Sequence, residues 1–484
     1  MLFNSYIFIL LFFPLCLVGY YGLNKIKKHN IAMVFLWGMS LWFYGYFNPG
    51  YLLIIISSIL LNFAIYKILG RLSDKKIKKL CLVAGLAANI AILGYFKYTD
   101  FFISTLNSVA KTDFNLINVV LPLGISFFTF QQLSFVIDSY KGEVGNYSFI
   151  EYACFVTYFP QLIAGPIVTH DELVPQFKDM SKKSISWDNF SRGLFIFVLG
   201  MTKKVMVADM FGNAVNVGFA DINGLNSTSA VIVMLAYTIQ IYFDFSGYCD
   251  MAIGLGKMMN FDLPLNFNSP YKALTITEFW DRWHMTLTRF FTRYIYIPLG
   301  GSRRGKMRTY INVFIVFLIS GFWHGAGFTF ILWGVLHGLF SIITRMFRSI
   351  FDKIPAFINW IITFIFVNVT WVFFRADTIA DGINLLSKVF DFNFGAINAN
   401  LVTAFTMKEV EFVLNIIPGA AGFAPYIMVL FFAAAVIVTV KAPNAYECMV
   451  NFKPTIANSL VTVLLFIWCL ISFSGISTFL YFNF

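Results

Sequence analysis

Charge is what this sequence has least of. Asp, Glu, Lys and Arg make up 12% of its 484 residues, against about 25% in soluble domains. With 59% of the residues hydrophobic, that shortage excludes an ordinary water-soluble fold. Cysteine is also scarce. Cys16, Cys81, Cys154, Cys249, Cys448 and Cys469 are scattered, with no CxxC pair and no His/Cys cluster. They read as small buried hydrophobes, with no metal or redox chemistry implied. Polar and apolar residues do not alternate along the segments, which excludes an outer-membrane β-barrel. The absence of an internal repeat argues against an inverted-repeat transporter.

Solid apolar runs rich in phenylalanine (59 in all) are what remains, and they describe an all-α polytopic membrane protein. The net charge of +11 sits in short basic loops flanking those runs, which marks cytoplasmic loops rather than a nucleic-acid surface. The first run, after Met1, has no basic residues before it and no evident cleavage site. It reads as a retained span with its N-terminus outside. From His29 to Tyr66 no residue is charged, and Phe47-Asn48-Pro49-Gly50 splits that stretch into a hairpin. Lys25, Lys27 and Lys28 before it and Lys67 to Lys79 after it place both basic loops on one side. Further spans are expected near 80–96, 114–137, 193–213, 228–248, 354–374, 422–440 and 456–482, with a hairpin over 309–344. Roughly ten to twelve spans result, with both termini external. Residues 1–484 read as one domain.

Two regions are unsuited to simple spans. Residues 152–170 carry Pro160 and Gly165-Pro166, and residues 244–308 mix charges, glycines and prolines with aromatics. Irregular backbone at membrane depth needs protein or a water-filled cavity around it, so both are expected to be re-entrant or interfacial. The segment 376–412, ending near Lys408, Glu409 and Glu411, is the largest candidate external loop.

From Thr309 to Thr344 there is no Asp, Glu, Lys or Arg, yet His324 stands in the middle, in Phe322-Trp323-His324-Gly325. An ionisable residue inside a membrane costs several kcal/mol unless it is paired or hydrated, and so marks a functional site. Gly321, Gly325 and Gly327 would let a ligand or backbone come close. His337, in the same stretch, reads as a core histidine bonded across helices. His284 lies beside Arg282 and Trp283. Two histidines with few charges around them suit general-base chemistry near neutral pH, and no further ligands at suitable spacing suggest zinc. Asp244 and Asp250 are separated by ~600° of helix and cannot form an acid–base pair on one face. The turn Gly300-Gly301-Ser302-Arg303-Arg304-Gly305, followed by Lys306, could contact a phosphate-bearing donor. Read by itself, it is first a cytoplasmic turn obeying the positive-inside rule.

Several runs together resemble the bacterial membrane-bound O-acyltransferases of the alginate O-acetylase type. They are Phe159-Pro160-Gln161-Leu162-Ile163-Ala164-Gly165-Pro166, Lys203-Lys204-Val205-Met206-Val207-Ala208-Asp209, Tyr242-Phe243-Asp244-Phe245-Ser246-Gly247-Tyr248 and Asn266-Phe267-Asn268-Ser269-Pro270-Tyr271. The likeness continues through Phe279-Trp280, Arg282-Trp283-His284, Tyr296-Ile297-Pro298-Leu299-Gly300-Gly301 and Ser320-Gly321-Phe322-Trp323-His324-Gly325, so it covers about 122–375. The resemblance implies a ring of tilted helices, with re-entrant elements, around a central tunnel. It implies that His324 is the catalytic histidine and His284 the second family histidine. Trp323, Trp283, Arg282, Asp244, Arg303, Arg304 and Lys306 become candidates for the substrate and donor path. Thr292-Arg293 stands where the alginate enzyme has Arg-Asp before its Tyr-Leu-Tyr segment, which argues against alginate as the acceptor.

The activity so implied is transfer of an acyl group, foremost acetyl, in a bacterial cytoplasmic membrane. The donor is a cytoplasmic thioester (acetyl-CoA or an acyl carrier), with no bound cofactor. The acceptor is an extracytoplasmic polysaccharide or a secreted esterase-like partner. D-alanyl transfer to teichoic acid and peptidoglycan O-acetylation are the alternatives within the family. Relatives acting on lipid acceptors usually carry Asn where His284 stands. A polysaccharide exporter would explain the spans but not the two histidines.

Overall fold

The computed structural model describes residues 1–405, 416, 423–475 and 479–480. Among these, helix is the only regular element, with a single isolated bridge between Phe267 and Trp283. The helices are α1 (Phe13–Lys25), α2 (His29–Gly45), α3 (Gly50–Arg71), α4 (Lys75–Ala110), α5 (Ile125–Lys141), α6 (Phe149–Thr157), α7 (Phe159–Leu162), α8 (His170–Lys178), α9 (Trp187–Thr202), α10 (Asp209–Ala220), α11 (Ser227–Met258), α12 (Ile276–Arg282), α13 (Met285–Phe291), α14 (Lys306–His324) and α15 (Phe328–Met346). Apolar helices follow at Ala356–Arg375, Ala424–Lys441 and Ile456–Ile471. Among the described residues, six helices are long and apolar enough to cross a membrane. Many of their outward residues are large and apolar, such as Val18, Leu53 and Ile90, as a lipid-facing surface requires.

The chain divides into two compact units, Met1–Phe197 with Cys249–Leu265, and Val198–Tyr248 with Asn266–Phe484. In the first, the hairpin of α2 and α3 turns at the expected place, where the Asn48 side chain accepts from Gly50 N–H at 2.9 Å. Side-chain amides tie α3, α4 and α5 together: Asn89 donates to Asn62 at 2.7 Å, and Gln132 donates to Ser58 Oγ at 3.0 Å. Such bonds hold helices together where no hydrophobic force distinguishes neighbour from lipid. His170 lies buried beside Asp138, 3.4 Å away, and Tyr147.

The segment 152–170 is broken, as its prolines require. α6 ends at Thr157, α7 is a single turn, and irregular backbone runs on to Thr169, all of it buried. Two expectations need correction. The span near 114–137 begins only at Ile125, because Asp100 accepts from the N–H groups of Ile117, Asn118 and Val119 and holds them out of a helix, with Asn118 left-handed. The irregular region expected from 244 begins only after Met258. Asp244 and Asp250 lie inside the long helix α11, where Lys204 pairs with Asp244 and offsets part of the cost of burying it. The 376–412 segment is also less loop-like than expected, with helices at Ile379–Phe390 and Ala399–Ala404. Lys408, Glu409 and Glu411 lie outside the described residues.

Candidate active site

The second unit contains both histidines of interest. α14 and α15 form a tight hairpin because Gly321 and Gly334 face each other. A methyl group on Gly334 would sit 2.5 Å from the Phe317 carbonyl oxygen, and one on Gly321 would meet that of Phe330. No larger residue allows backbones so close. The crossing fixes the last turn of α14, where His324 is the final residue and only 3% exposed. Its ring is enclosed by Trp323, Trp333 and Phe374, with centroids at 4.9, 5.2 and 5.2 Å.

His284 reaches the same place from another element. It caps α13 with φ 48° and ψ 49°, a left-handed conformation unusual for a residue with a Cβ. The strand-like segment around Phe267 holds it there. Asn268 N–H donates to the Arg282 carbonyl at 2.9 Å, and Met285 N–H donates to that of Asn266 at 3.0 Å. The ring centroids of His284 and His324 are 6.4 Å apart, and Trp323 lies edge-on to His284 at 6.2 Å.

The hydrogen bonds around His284 fix its tautomer. Asn266 Oδ1 accepts from both the N–H and the hydroxyl of Thr286, so it is also the acceptor for His284 Nδ1 at 3.1 Å. Nδ1 therefore carries the proton and Nε2 the lone pair. Complete burial pushes the imidazole down to about 3, so the ring stays neutral. His337 is bonded on both sides: Trp280 Nε1–H donates to its Nδ1 at 3.2 Å, and its Nε2 meets the Thr370 hydroxyl at 3.0 Å. That is the cross-helix role the sequence suggested.

Two cavities flank the His324 turn. One, of about 310 Å³, is lined by Trp280, Thr288, Phe291, Ser302, Ser320 and Arg345. It therefore runs from the glycine-rich turn to Ser320, one helical turn short of His324. The other, of about 470 Å³, is lined by Lys204, Asp209, Gln240, Thr329, Phe330 and Phe374. Phe374 is also one of the rings against His324. His324 thus stands between residues that line either cavity.

The remaining candidates divide. Trp323 belongs to the site. Trp283 is fully buried and packs on Phe279 and Trp371, with centroids at 5.6 and 5.0 Å, so it acts as a wall behind His284. Arg282 does not face the chemistry: its guanidinium holds Glu278 at 2.9 Å and donates to the Asn268 carbonyl. Asp244 is the buried partner of Lys204, 2.6 Å away, and Lys204 also meets Asp209 at 2.8 Å. Arg303, Arg304 and Lys306 are exposed. Part of the expected cradle of backbone donors beside them is taken up, because the Gly300, Gly301 and Arg303 N–H groups donate to the carbonyls of Ile297, Tyr296 and Gly300.

Asn266, Thr286, Trp333 and Phe374 belong to the site and were not singled out from the sequence. Lys204 was visible in principle as a cation inside an apolar run, the same signal that marks His324. No group of three or more His, Cys, Asp or Glu suited to a metal occurs among the described residues.

Comparison with known proteins follows the same lines. The profile of the membrane-bound O-acyltransferase family matches residues 102–379. The chain is 42% identical over 423 residues to the peptidoglycan O-acetyltransferase of Helicobacter pylori, covering 81% of this chain and 80% of that one. It is 37% identical over 401 residues to the probable alginate O-acetylase of Pseudomonas aeruginosa, covering 81% and 75%. Its likeness to the teichoic acid D-alanyltransferase of Streptococcus thermophilus is 27% over 228 residues, covering 45% and 55%. Extended identity and a family profile spanning both histidines lead to one conclusion: the chain belongs to the membrane-bound O-acyltransferase family.

Proposed function

We propose that this chain is an O-acetyltransferase of the bacterial cytoplasmic membrane that takes acetyl from a cytoplasmic thioester to a glycan hydroxyl on the outer side. The acetyl group passes either directly or through a secreted esterase-like partner. The observation that supports this reading is the placement of His324, packed against Phe374, which lines one polar cavity, and one helical turn from Ser320, which lines a second cavity that reaches the basic turn. A donor and an acceptor can then meet at one imidazole without either crossing the bilayer.

In this reading His324 removes the proton from the attacking hydroxyl as its oxygen bonds to the thioester carbonyl carbon. The tetrahedral oxyanion collapses, the C–S bond breaks, and the proton passes from the imidazolium to the leaving sulfur. With its lone pair on Nε2, His284 is an acceptor; it orients an N–H or O–H of a substrate and does not donate to the oxyanion. The enclosing Trp323, Trp333 and Phe374 exclude water, which strengthens every polar interaction inside. Arg303, Arg304 and Lys306 draw a polyanionic donor toward the first cavity through their side chains.

Both the greater identity to the peptidoglycan enzyme and the Thr292-Arg293 departure favour a cell-wall glycan over alginate. D-alanyl transfer is supported by a match to less than half of the chain, and we place it second. Ester-linked acetate measured in cell-wall and exopolysaccharide fractions, with and without the chain, tests the proposal. Unchanged acetate in every fraction overturns it, and loss of ester-linked D-alanine instead selects the second reading. Orientation is tested separately: externally added thiol reagent should label cysteines placed in 376–405 and not at Lys75–Lys79, where α4 begins.

A further inference from the structure

Far along the sequence from both histidines, the first unit carries an open groove of about 840 Å³ between α1 and the segment 180–190. Its floor and walls are apolar: Leu17, Val18, Tyr21, Ile185, Trp187 and Phe190. Val18 and Trp187 are 73% and 72% exposed, an unusual state for such residues unless lipid covers them. One end is different in kind. Lys25, Lys27, His29 and Lys183 line it, and no carboxylate lines the groove anywhere.

The local architecture keeps that end positive. α1 stops at Lys25, and Lys27 turns left-handed with its N–H on the Asn24 carbonyl, which projects the lysines beside the groove. The two nearby carboxylates are engaged elsewhere. Asp179 accepts from the N–H and hydroxyl of Ser181, and Asp188 pairs with Arg192 at 2.8 Å. Lys25 and Lys27 are exposed and have no ion pair among the described residues. His29 Nδ1 is bonded to Asn24 at 2.8 Å, which orients its ring at the same end.

We infer that this groove is a binding site for one anionic glycerophospholipid, its acyl chains in the apolar trough and its phosphate at Lys25, Lys27 and His29. The volume lies in the range of built ligand pockets. The pairing of an apolar trough with a cationic end, without any acid, complements that molecule and not a zwitterionic one. A lysine near a membrane surface favours an anionic lipid by about five-fold. Two lysines therefore give a preference of roughly 25-fold.

Trp187 provides the readout. The full chain is reconstituted in phosphatidylcholine nanodiscs containing matched, graded mole fractions of acyl-brominated phosphatidylglycerol or acyl-brominated phosphatidylcholine. The quenching lost in Trp187→Phe isolates that residue's signal from the other tryptophans. Brominated phosphatidylglycerol should quench it at concentrations at least ten-fold lower, and Lys25→Gln with Lys27→Gln should bring the two lipids together. Both substitutions are at exposed positions, and native mass spectrometry of the same variants gives retained phosphatidylglycerol as a second measurement. Equal quenching by the two lipids in the native chain overturns the proposal, since that is ordinary boundary lipid. So does a Trp187 signal shielded from both in a chain that runs as a dimer, which assigns the groove to a second copy.

Discussion

Replacing Gly321 with Ala should disable the enzyme while leaving it in the membrane. The added methyl would meet the Phe330 carbonyl oxygen and lie 3.1 Å from Gly334 Cα. Both are backbone atoms, so no side chain can swing away, and α14 must move off α15 by a sizeable fraction of an ångström. Overpacking of this kind costs about 1–3 kcal/mol, which a protein with two units of packed helices should survive. The effect on chemistry is larger, because His324 follows Gly321 by three residues and is displaced with its turn. A misplacement of ~1 Å at a reacting group costs on the order of 100-fold in rate. Gly338→Ala, one helical turn beyond Gly334, is the control: its methyl would meet Phe314 Cδ2 at 3.1 Å, a ring atom that can yield, and would lie at ordinary contact distance from Phe317 Cβ (3.4 Å) and Phe314 Cα (3.5 Å). Acetyl transfer by membranes normalised to protein content should fall roughly 100-fold for Gly321→Ala and change little for Gly338→Ala. Equal activity of the two variants would refute the idea that this crossing positions the histidine.

His324→Ala should lower transfer by on the order of 100- to 10,000-fold, the usual range for losing a general base, at unchanged abundance; ester content near the native level would remove it from the mechanism. Asn266→Ala should cut transfer on the order of 100-fold by freeing the His284 ring, while Asn266→Asp keeps the acceptor oxygen and should recover part of it; a pair of variants with equal rates would exclude a positioning role. Lys204→Met leaves Asp209 and Asp244 without their shared cation and should cost about 3–5 kcal/mol, seen as loss of the protein from membranes in an immunoblot. Lys204→Met with Asp244→Asn should recover part of that loss. His337→Phe should lower thermal stability by roughly 1–3 kcal/mol through the orphaned Trp280 N–H, with transfer retained per folded molecule; inactive but fully stable protein would contradict the structural assignment.

The membrane class, the first hairpin and the broken segment after α6 could be read from the sequence, because each follows from local chemistry. Uncharged length sets a span, and Asn48-Pro49-Gly50 or Gly165-Pro166 interrupts one. His324 could be read for the same reason, as an ionisable group in a run without charges. What could not be read depended on distant partners. Asp244 looked like the start of an irregular polar region because nothing nearby in sequence shows that Lys204 neutralises it. Arg282 looked available for the donor path until Glu278 and Asn268 were found to hold it. The non-helical run before Ile125 depends on Asp100, which lies on a preceding helix. Asn266 has the largest influence on His284, yet 18 residues separate them, and no periodicity connects a loop asparagine to a loop histidine.

The left-handed backbone at His284 also restricts how this position can change over time. Most side chains there cost about 1–2 kcal/mol in backbone strain, so substitutions that fit the cavity still weaken the fold. Asn bears that conformation with the least penalty among residues that offer a hydrogen-bonding side chain. A lineage that no longer needs an imidazole at this point has an easy route to Asn and few others. An Asn at this position is therefore what backbone geometry alone would select, with no need for shared chemistry with His284.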